Sequence, residues 1–234
     1  MLPYIFILLF LAAAVLNLIG TKGHDRLFKA TKPVLLLLLC LYCLFRGLPK
    51  PDLLLIGALF ACGVGDVLLM LKGDKWFVSG GVSFFIGHVL LILVFAGRLD
   101  TYNNIFYGIL CLAIPYIITA CVIMFITRKN TPKAMIVPML LYLLCNGVMN
   151  AFALLCLIRS PAVGMRVPSA DEIRQTVCCA LSYAGAVLFF LSDCALFLMR
   201  YGSDKKRFYK TDFFVMLTYI SGTFLITAGL VPLW

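Results

Sequence analysis

The feature that most constrains this chain is the recurrence of long apolar runs separated by short polar segments. Each run is close to the ~20 residues that a transmembrane helix needs. The chain is 63% apolar and 13% charged, whereas soluble domains are about 45–50% apolar and about 25% charged. The sequence therefore predicts an all-α, polytopic transmembrane helix bundle of about eight spans. The predicted spans are residues 3–20, 33–47, 53–71, 76–97, 104–127, 134–158, 175–199 and 212–232.

Two of these runs leave a count of seven spans open. The run 33–47 is short, and the run 104–127 contains Pro115. The first run lacks the basic start and the small-residue cleavage site of a signal peptide, so we expect it to be a retained helix. The connecting segments are too short for a soluble domain, and we expect a single integral membrane domain over residues 1–234.

The net charge of +10 is concentrated in the connecting segments. With eight spans, the segments after helices 1, 3, 5 and 7 hold fourteen Lys and Arg residues, and those after helices 2, 4 and 6 hold six. The positive-inside rule then places both termini on the non-cytoplasmic side. The basic segments suit an anionic lipid surface, and they do not form the stripe with interleaved aromatics that marks a nucleic-acid-binding protein.

All ten cysteines lie in the predicted spans. This placement argues against a disulfide framework. Cys40 and Cys43 form a C-x-x-C pair, and Cys178 and Cys179 are adjacent. We interpret them as small apolar helix residues, because no histidine or further cysteine nearby completes a metal or redox site.

Three ionisable residues lie inside the apolar runs, where a charge costs about 2.5–3.5 kcal/mol on insertion scales. They are Asp66, His88 and Asp193. Asp66 and Asp193 precede a basic residue by six and seven positions, which places each about 9–10 Å from a helix end. A tight turn at residues 73–75 makes helices 3 and 4 antiparallel neighbours, so His88 is expected near Asp66. Such a trio could hold a proton, a metal ion or a substrate.

Further polar residues could line a cavity or join helices. Tyr142, Asn146 and Asn150 recur every four residues and therefore share one face of helix 6. They fit either interhelical hydrogen bonds or the wall of a polar cavity that holds a head group. Tyr219 could add a hydroxyl group. Lys32, before Pro33 at the start of helix 2, could meet a phosphate or snorkel to the interface.

The order of several short motifs resembles that of the YhhN-like lysoplasmalogenase family of eight-span membrane proteins. The matching pieces are Lys32-Pro33, "GDVLLML" at 65–71, "FVSGGVSFFIGH" at 77–88, Tyr142 with Met149, and "GAVLFFLSD" at 185–193. The chain departs from the family pattern at Leu91, where the family often has Tyr, and after Tyr219, where Ser221-Gly222 replaces an Ala-Gln-like segment.

The resemblance implies hydrolysis of the vinyl-ether bond of a lysoplasmalogen, a lysophospholipid substrate within the bilayer, to a fatty aldehyde and a glycerophospho-alcohol. That reaction needs an acid to protonate carbon, an anion facing the oxocarbenium ion and a water molecule, and two carboxylates serve comparable needs in glycosidases. We expect Asp66, Asp193 and His88 to be catalytic. The expected substrate-binding residues are Lys32, Tyr142, Asn146, Asn150 and Tyr219.

No cofactor and no bound metal are expected, although two Asp and one His could suit a metal-dependent lipid hydrolase. No G-x-S-x-G motif is present, which disfavours acyl hydrolysis by that route. The alternative function is a proton- or ion-coupled transporter or lipid flippase that uses the same buried residues. A further alternative is a structural scaffold, in which the buried polar residues only hold helices together. The expected location is the cytoplasmic membrane of a bacterium or the endoplasmic reticulum of a eukaryote.

Overall fold

Eight helices make up the computed structural model, which describes residues 2–46, 53–99, 105–164, 167–202 and 211–232. No strand occurs in these ranges, and the predicted all-α polytopic bundle is confirmed. The helices are α1 (Leu2–Gly20), α2 (Asp25–Arg46), α3 (Leu53–Leu69), α4 (Asp74–Ala96), α5 (Ile105–Thr127), α6 (Lys133–Ile158), α7 (Ala170–Tyr201) and α8 (Thr211–Leu230).

Seven of the eight described helices are long and apolar enough to cross a membrane. The exception is α3, whose 17 residues span about 25 Å at 1.5 Å per residue. The chain is thus a multi-pass membrane protein. Its contacts group into two compact units, residues up to Val94 and residues Phe95–Pro232, and the expected single domain stays a prediction.

Two helices start earlier than their apolar runs suggest. Helix α2 begins at Asp25, so Lys32 and Pro33 lie inside the helix, and the expectation that they open it is wrong. Helix α7 begins at Ala170, where Ser169 and Glu172 form a capping box. Capping and backbone hydrogen bonds extend a helix beyond its apolar part, and hydropathy alone does not detect this extension. By contrast, α5 continues through Pro115.

Helices α3 and α4 of the first unit pack with their backbones in close approach. The Ser83 hydroxyl donates to the Ala61 carbonyl at 2.6 Å. A Cβ atom on Gly65 would lie 2.6 Å from the Phe84 ring, and one on Gly87 would lie 2.5 Å from Cys62 Sγ. Small residues permit this spacing between membrane helices, and Asp66 and His88 each follow one of these glycines.

In the second unit, α7 and α8 meet at a pair of glycines. A Cβ on Gly185 would lie 2.6 Å from the Gly222 carbonyl oxygen, and one on Gly222 would lie 2.9 Å from the Gly185 carbonyl oxygen. Since any side chain at either position would displace a backbone, both glycines are required for this helix contact. The departure at Gly222 from the family pattern therefore coincides with a packing constraint in this chain.

Candidate functional site

Asp66 is buried in the first unit beside a lysine from the neighbouring helix. It lies three residues before the end of α3, which ends at Leu69, so it is about 4.5 Å from the helix end and not at the expected distance of about 9 Å. Its side chain is 2% exposed. Lys32 Nζ on α2 is 3.3 Å from Asp66 Oδ1, with 11% of the lysine side chain exposed. The ammonium group also lies 5.6 Å from the centre of the Phe28 ring. Asp66 is thus held in a buried ion pair.

The sequence did not reveal this ion pair. Lys32 was expected to meet a phosphate or snorkel, and the assumed helix start at residue 33 left it in a connecting segment. Because α2 begins at Asp25, Lys32 is two helical turns inside the helix and faces α3. The pair could have been suggested by a lysine within one helix when the next helix in the sequence carries a buried aspartate.

His88 is fully buried in the middle of α4. It shares a buried face with Phe84 and Leu91, which are 5% and 3% exposed. Leu91 is the position where the family pattern often has Tyr, and here it contributes apolar packing. The Gly87 backbone beside His88 approaches the Ala58 carbonyl and Cys62 of α3, so the histidine lies beside a close approach of α3 and α4.

Asp193 is the centre of a hydrogen-bonded cluster in the second unit. It lies on α7, eight residues before Tyr201, and is 5% exposed. The Tyr142 hydroxyl and Asn146 Nδ2 of α6 each donate to Asp193 Oδ2 at 2.7 Å. The Tyr142 ring packs edge-on against Phe197, with 5.5 Å between centroids. The two hydrogen bonds and the ring contact fix the orientation of this carboxyl group.

Asn150 extends the cluster by one helical turn. Its Nδ2 donates to the carbonyl oxygen and to Oδ1 of Asn146, both at 3.0 Å. Because Asn146 Oδ1 accepts from Asn150, the Asn146 amide group turns its NH₂ towards Asp193. Asn150 is fully buried, and its Oδ1 receives no hydrogen bond in the part of the chain that the structure describes. A buried acceptor left in this way is costly unless a ligand or water supplies a donor.

Three other tyrosines of the second unit have different settings. Tyr219 on α8 is buried and packs edge-on against Phe189, with centroids 5.3 Å apart. The hydroxyl groups of Tyr116 and Tyr183 are 3.1 Å apart. Tyr219 therefore supports the α7–α8 contact through its ring.

An apolar groove lies between α2 and α3 beside the Lys32–Asp66 pair. It has a volume of about 280 Å³ and is lined by Pro33, Leu36, Leu37, Cys40, Leu59, Phe60, Gly63, Val64, Val67 and Leu68. Pro33 and Val67 directly follow the two members of the ion pair. Phe60 and Leu37 are 65% and 53% exposed, so the groove opens on the surface that the bilayer covers.

Each unit thus brings part of the predicted set together. The first unit pairs Lys32 with Asp66 and buries His88; the second joins Asp193 to Tyr142 and Asn146, with Asn150 behind them. Within the described ranges, no group of three or more His, Cys, Asp or Glu side chains is arranged to hold a metal ion.

Comparison with known proteins identifies the family of this chain. The model of the YhhN family covers residues 27–230, which include every predicted site residue from Lys32 to Tyr219. No curated protein and no solved structure matches the chain.

Proposed function

Because the chain belongs to the YhhN family, we propose that it is a membrane-embedded hydrolase that cleaves the vinyl-ether bond of lysoplasmalogens. The products are a fatty aldehyde and a glycerophospho-alcohol. The observation that carries the proposal is the buried Asp193 carboxyl group with two donors on a single oxygen. A carboxyl group kept at membrane depth by dedicated donors is a candidate for function.

The reaction is a hydration followed by collapse. A proton is added to the β-carbon of the enol ether, which leaves an oxocarbenium ion at the carbon bonded to oxygen. Water attacks that carbon and loses a proton, giving a hemiacetal. The hemiacetal expels the glycerol oxygen as an alcohol and becomes the aldehyde. One water molecule is consumed and no other reactant is needed, so an acid, an anion and a held water suffice.

Asp193 takes the role of the acid in this proposal. Tyr142 and Asn146 both donate to Oδ2, and this arrangement persists when the proton resides on the other oxygen. A protonated carboxyl group accepts on one oxygen and donates from the other. Asn150 Oδ1, buried and without a donor from any described residue, is suited to accept a hydrogen bond from the attacking water.

Asp66, in the first unit, is proposed as a further catalytic carboxylate. Its ion pair with Lys32 balances the carboxylate charge within the bilayer and fixes its position. Lys32 is therefore a positioning residue for Asp66, and its other N–H donors can meet a phosphate group. His88, fully buried on the neighbouring helix, is proposed to orient a carboxylate or the water.

The apolar groove beside this ion pair suits an aliphatic chain. It is lined almost entirely by hydrocarbon side chains, and these include Pro33 and Val67, which directly follow Lys32 and Asp66 in the sequence. A chain lying in the groove would stay in the apolar layer while its polar end reached the ion pair. The transfer of each methylene from water to such a surface is favourable by about 0.8 kcal/mol.

The test uses the purified protein and synthetic lysoplasmalogen, with aldehyde release as the readout. The saturated alkyl-ether analogue should not react, since it has no carbon that can be protonated. In D₂O, aldehyde that is reduced as it forms should carry one deuterium beside the former carbonyl carbon. Asp193→Asn should remove activity, whereas Asp212→Asn, a change at an exposed position at the start of α8, should retain it.

Two results would contradict the proposal. One is an unreacted vinyl ether together with gradient-dependent movement of lipid in liposomes, which would establish the transporter alternative. The other is aldehyde formed in D₂O without deuterium at the carbon beside the carbonyl group. This result would mean that the vinyl-ether bond breaks by a route other than protonation at the β-carbon.

A further inference from the structure

A second pocket lies in the second unit, away from the residues used above. Its volume is about 620 Å³, within the range of ligand-binding pockets. It is formed where α4 and α6 end and α7 begins. Its polar wall includes Arg98, Arg159, Ser160 and Gln175, and Cys178 and Cys179 line its α7 side.

Two arginines give the pocket its charge. Arg98 Nη2 donates to the Leu230 carbonyl oxygen at 2.8 Å, which holds this side chain against the end of α8. Arg159 directly follows α6, and its guanidinium group makes no hydrogen bond or ion pair with the residues that the structure describes. No described acidic residue lines the pocket. Glu172, in the first turn of α7, accepts instead from the backbone and side chain of Ser169, each at 2.7 Å.

This combination selects an anion, and phosphate fits it well. The planar forks of two guanidinium groups match phosphate oxygens, and the Gln175 amide adds a donor. Leu99, Pro161 and the cysteines form the remaining wall, and the volume exceeds the needs of a bare ion. We propose that this pocket binds the phosphate group of a phosphate ester, from either a phospholipid head group or a water-soluble ester.

The ligand would be a second molecule, distinct from the proposed substrate. Cys178 and Asp193 are fifteen residues apart on α7, which corresponds to about 22 Å along the helix. In a lysoplasmalogen the vinyl ether and the phosphate are attached to the same glycerol. A phosphate bound here cannot belong to the molecule whose vinyl ether reaches Asp193, so this inference does not depend on the proposed reaction.

The cysteines supply the test. Cys179 is partly exposed and lines the pocket, whereas Cys111 and Cys121 are exposed on α5 outside it. Alkylation of the detergent-purified protein by a maleimide would be followed at each cysteine by mass spectrometry. Glycerol 3-phosphate is the soluble probe and glycerol its control. Phosphatidylglycerol in mixed micelles is the lipid probe, with diacylglycerol as its control.

We expect a phosphate probe to slow alkylation of Cys179 and to leave Cys111 and Cys121 unchanged. Protection by glycerol 3-phosphate assigns a soluble ester, and protection by phosphatidylglycerol alone assigns a lipid head group. Arg159→Gln should raise the probe concentration for half-protection about tenfold or more, from the loss of a charge-assisted hydrogen bond. Arg159→Lys should retain part of the affinity that Arg159→Gln loses. Unchanged rates at Cys111 in both variants show that they are folded.

Three outcomes would overturn the inference. They are no protection by any probe, equal protection by diacylglycerol and phosphatidylglycerol, and undiminished protection in Arg159→Gln. The second outcome would make the pocket a site for hydrocarbon chains.

Discussion

Removing Lys32 should separate the structural part of the Lys32–Asp66 pair from its proposed part in catalysis. Lys32→Met keeps the length of the side chain and removes the ammonium group that lies 3.3 Å from Asp66 Oδ1. Breaking a buried ion pair from one side costs about 3–5 kcal/mol. The lysine side chain is 11% exposed, so we expect the lower end, a loss of about 3 kcal/mol of unfolding free energy.

The double variant Lys32→Met/Asp66→Asn is the matched control. It leaves neither charge in the apolar layer, and replacing both members of a buried pair is often neutral or stabilising. We therefore expect it to be more stable than Lys32→Met alone, with a coupling energy of at least about 2 kcal/mol between the two changes. Asp66→Asn alone leaves the lysine charge and should be destabilised as well.

Stability and activity should separate in this series. Unfolding of the detergent-purified variants would be followed by circular dichroism in a denaturant titration, and activity by aldehyde release. The double variant should be well folded and inactive, because it lacks the proposed catalytic carboxylate Asp66. Additive losses of stability would refute the ion pair as a coupled unit. An active double variant would remove Asp66 from the reaction.

The other predictions concern separate parts of the molecule. Tyr142→Phe keeps the ring contact and removes one hydrogen bond to Asp193 that strengthens as this acid gives up its proton, so kcat should fall by roughly 10–100-fold. An unchanged kcat would contradict this role for the hydroxyl group. Gly63→Leu should fill the groove and raise KM for long-chain substrates more than for short-chain ones. Gly63→Ala is its control, since the new Cβ would lie at an ordinary 3.5 Å from Leu36 Cβ. An equal rise in KM for long-chain and short-chain substrates would exclude the groove as the binding site of the chain. A reporter that is active only in the cytoplasm should be silent when fused at Trp234, and a strong signal there would mean seven spans or the opposite orientation. Chelation should leave most activity, because protonation at carbon needs a Brønsted acid; restoration by one divalent ion after a complete loss would indicate a metal site.

Much of the helical architecture could be predicted from the hydropathy of the sequence. A run of about 20 apolar residues can satisfy its backbone groups in a bilayer only as a helix or in a closed barrel. The number and order of the helices therefore follow from the sequence. The choice of Asp66, His88 and Asp193 as candidate functional residues follows from it as well. Helix starts were less predictable. Asp25 and Ala170 lie outside the apolar runs, and the hydrogen bonds that extend a helix into polar sequence leave no trace in hydropathy.

The partners of the polar residues were decided only by the tertiary structure. The spacing of Tyr142 and Asn146 showed that they share a helix face. Only the packing of α6 on α7 brings both side chains within hydrogen-bonding distance of Asp193. Likewise, only the contact of α2 with α3 pairs Lys32 with Asp66. Helical periodicity is a local property of one segment. Which buried charge meets which donor depends on the close approach of two segments, and that approach is set by small residues distributed along both helices.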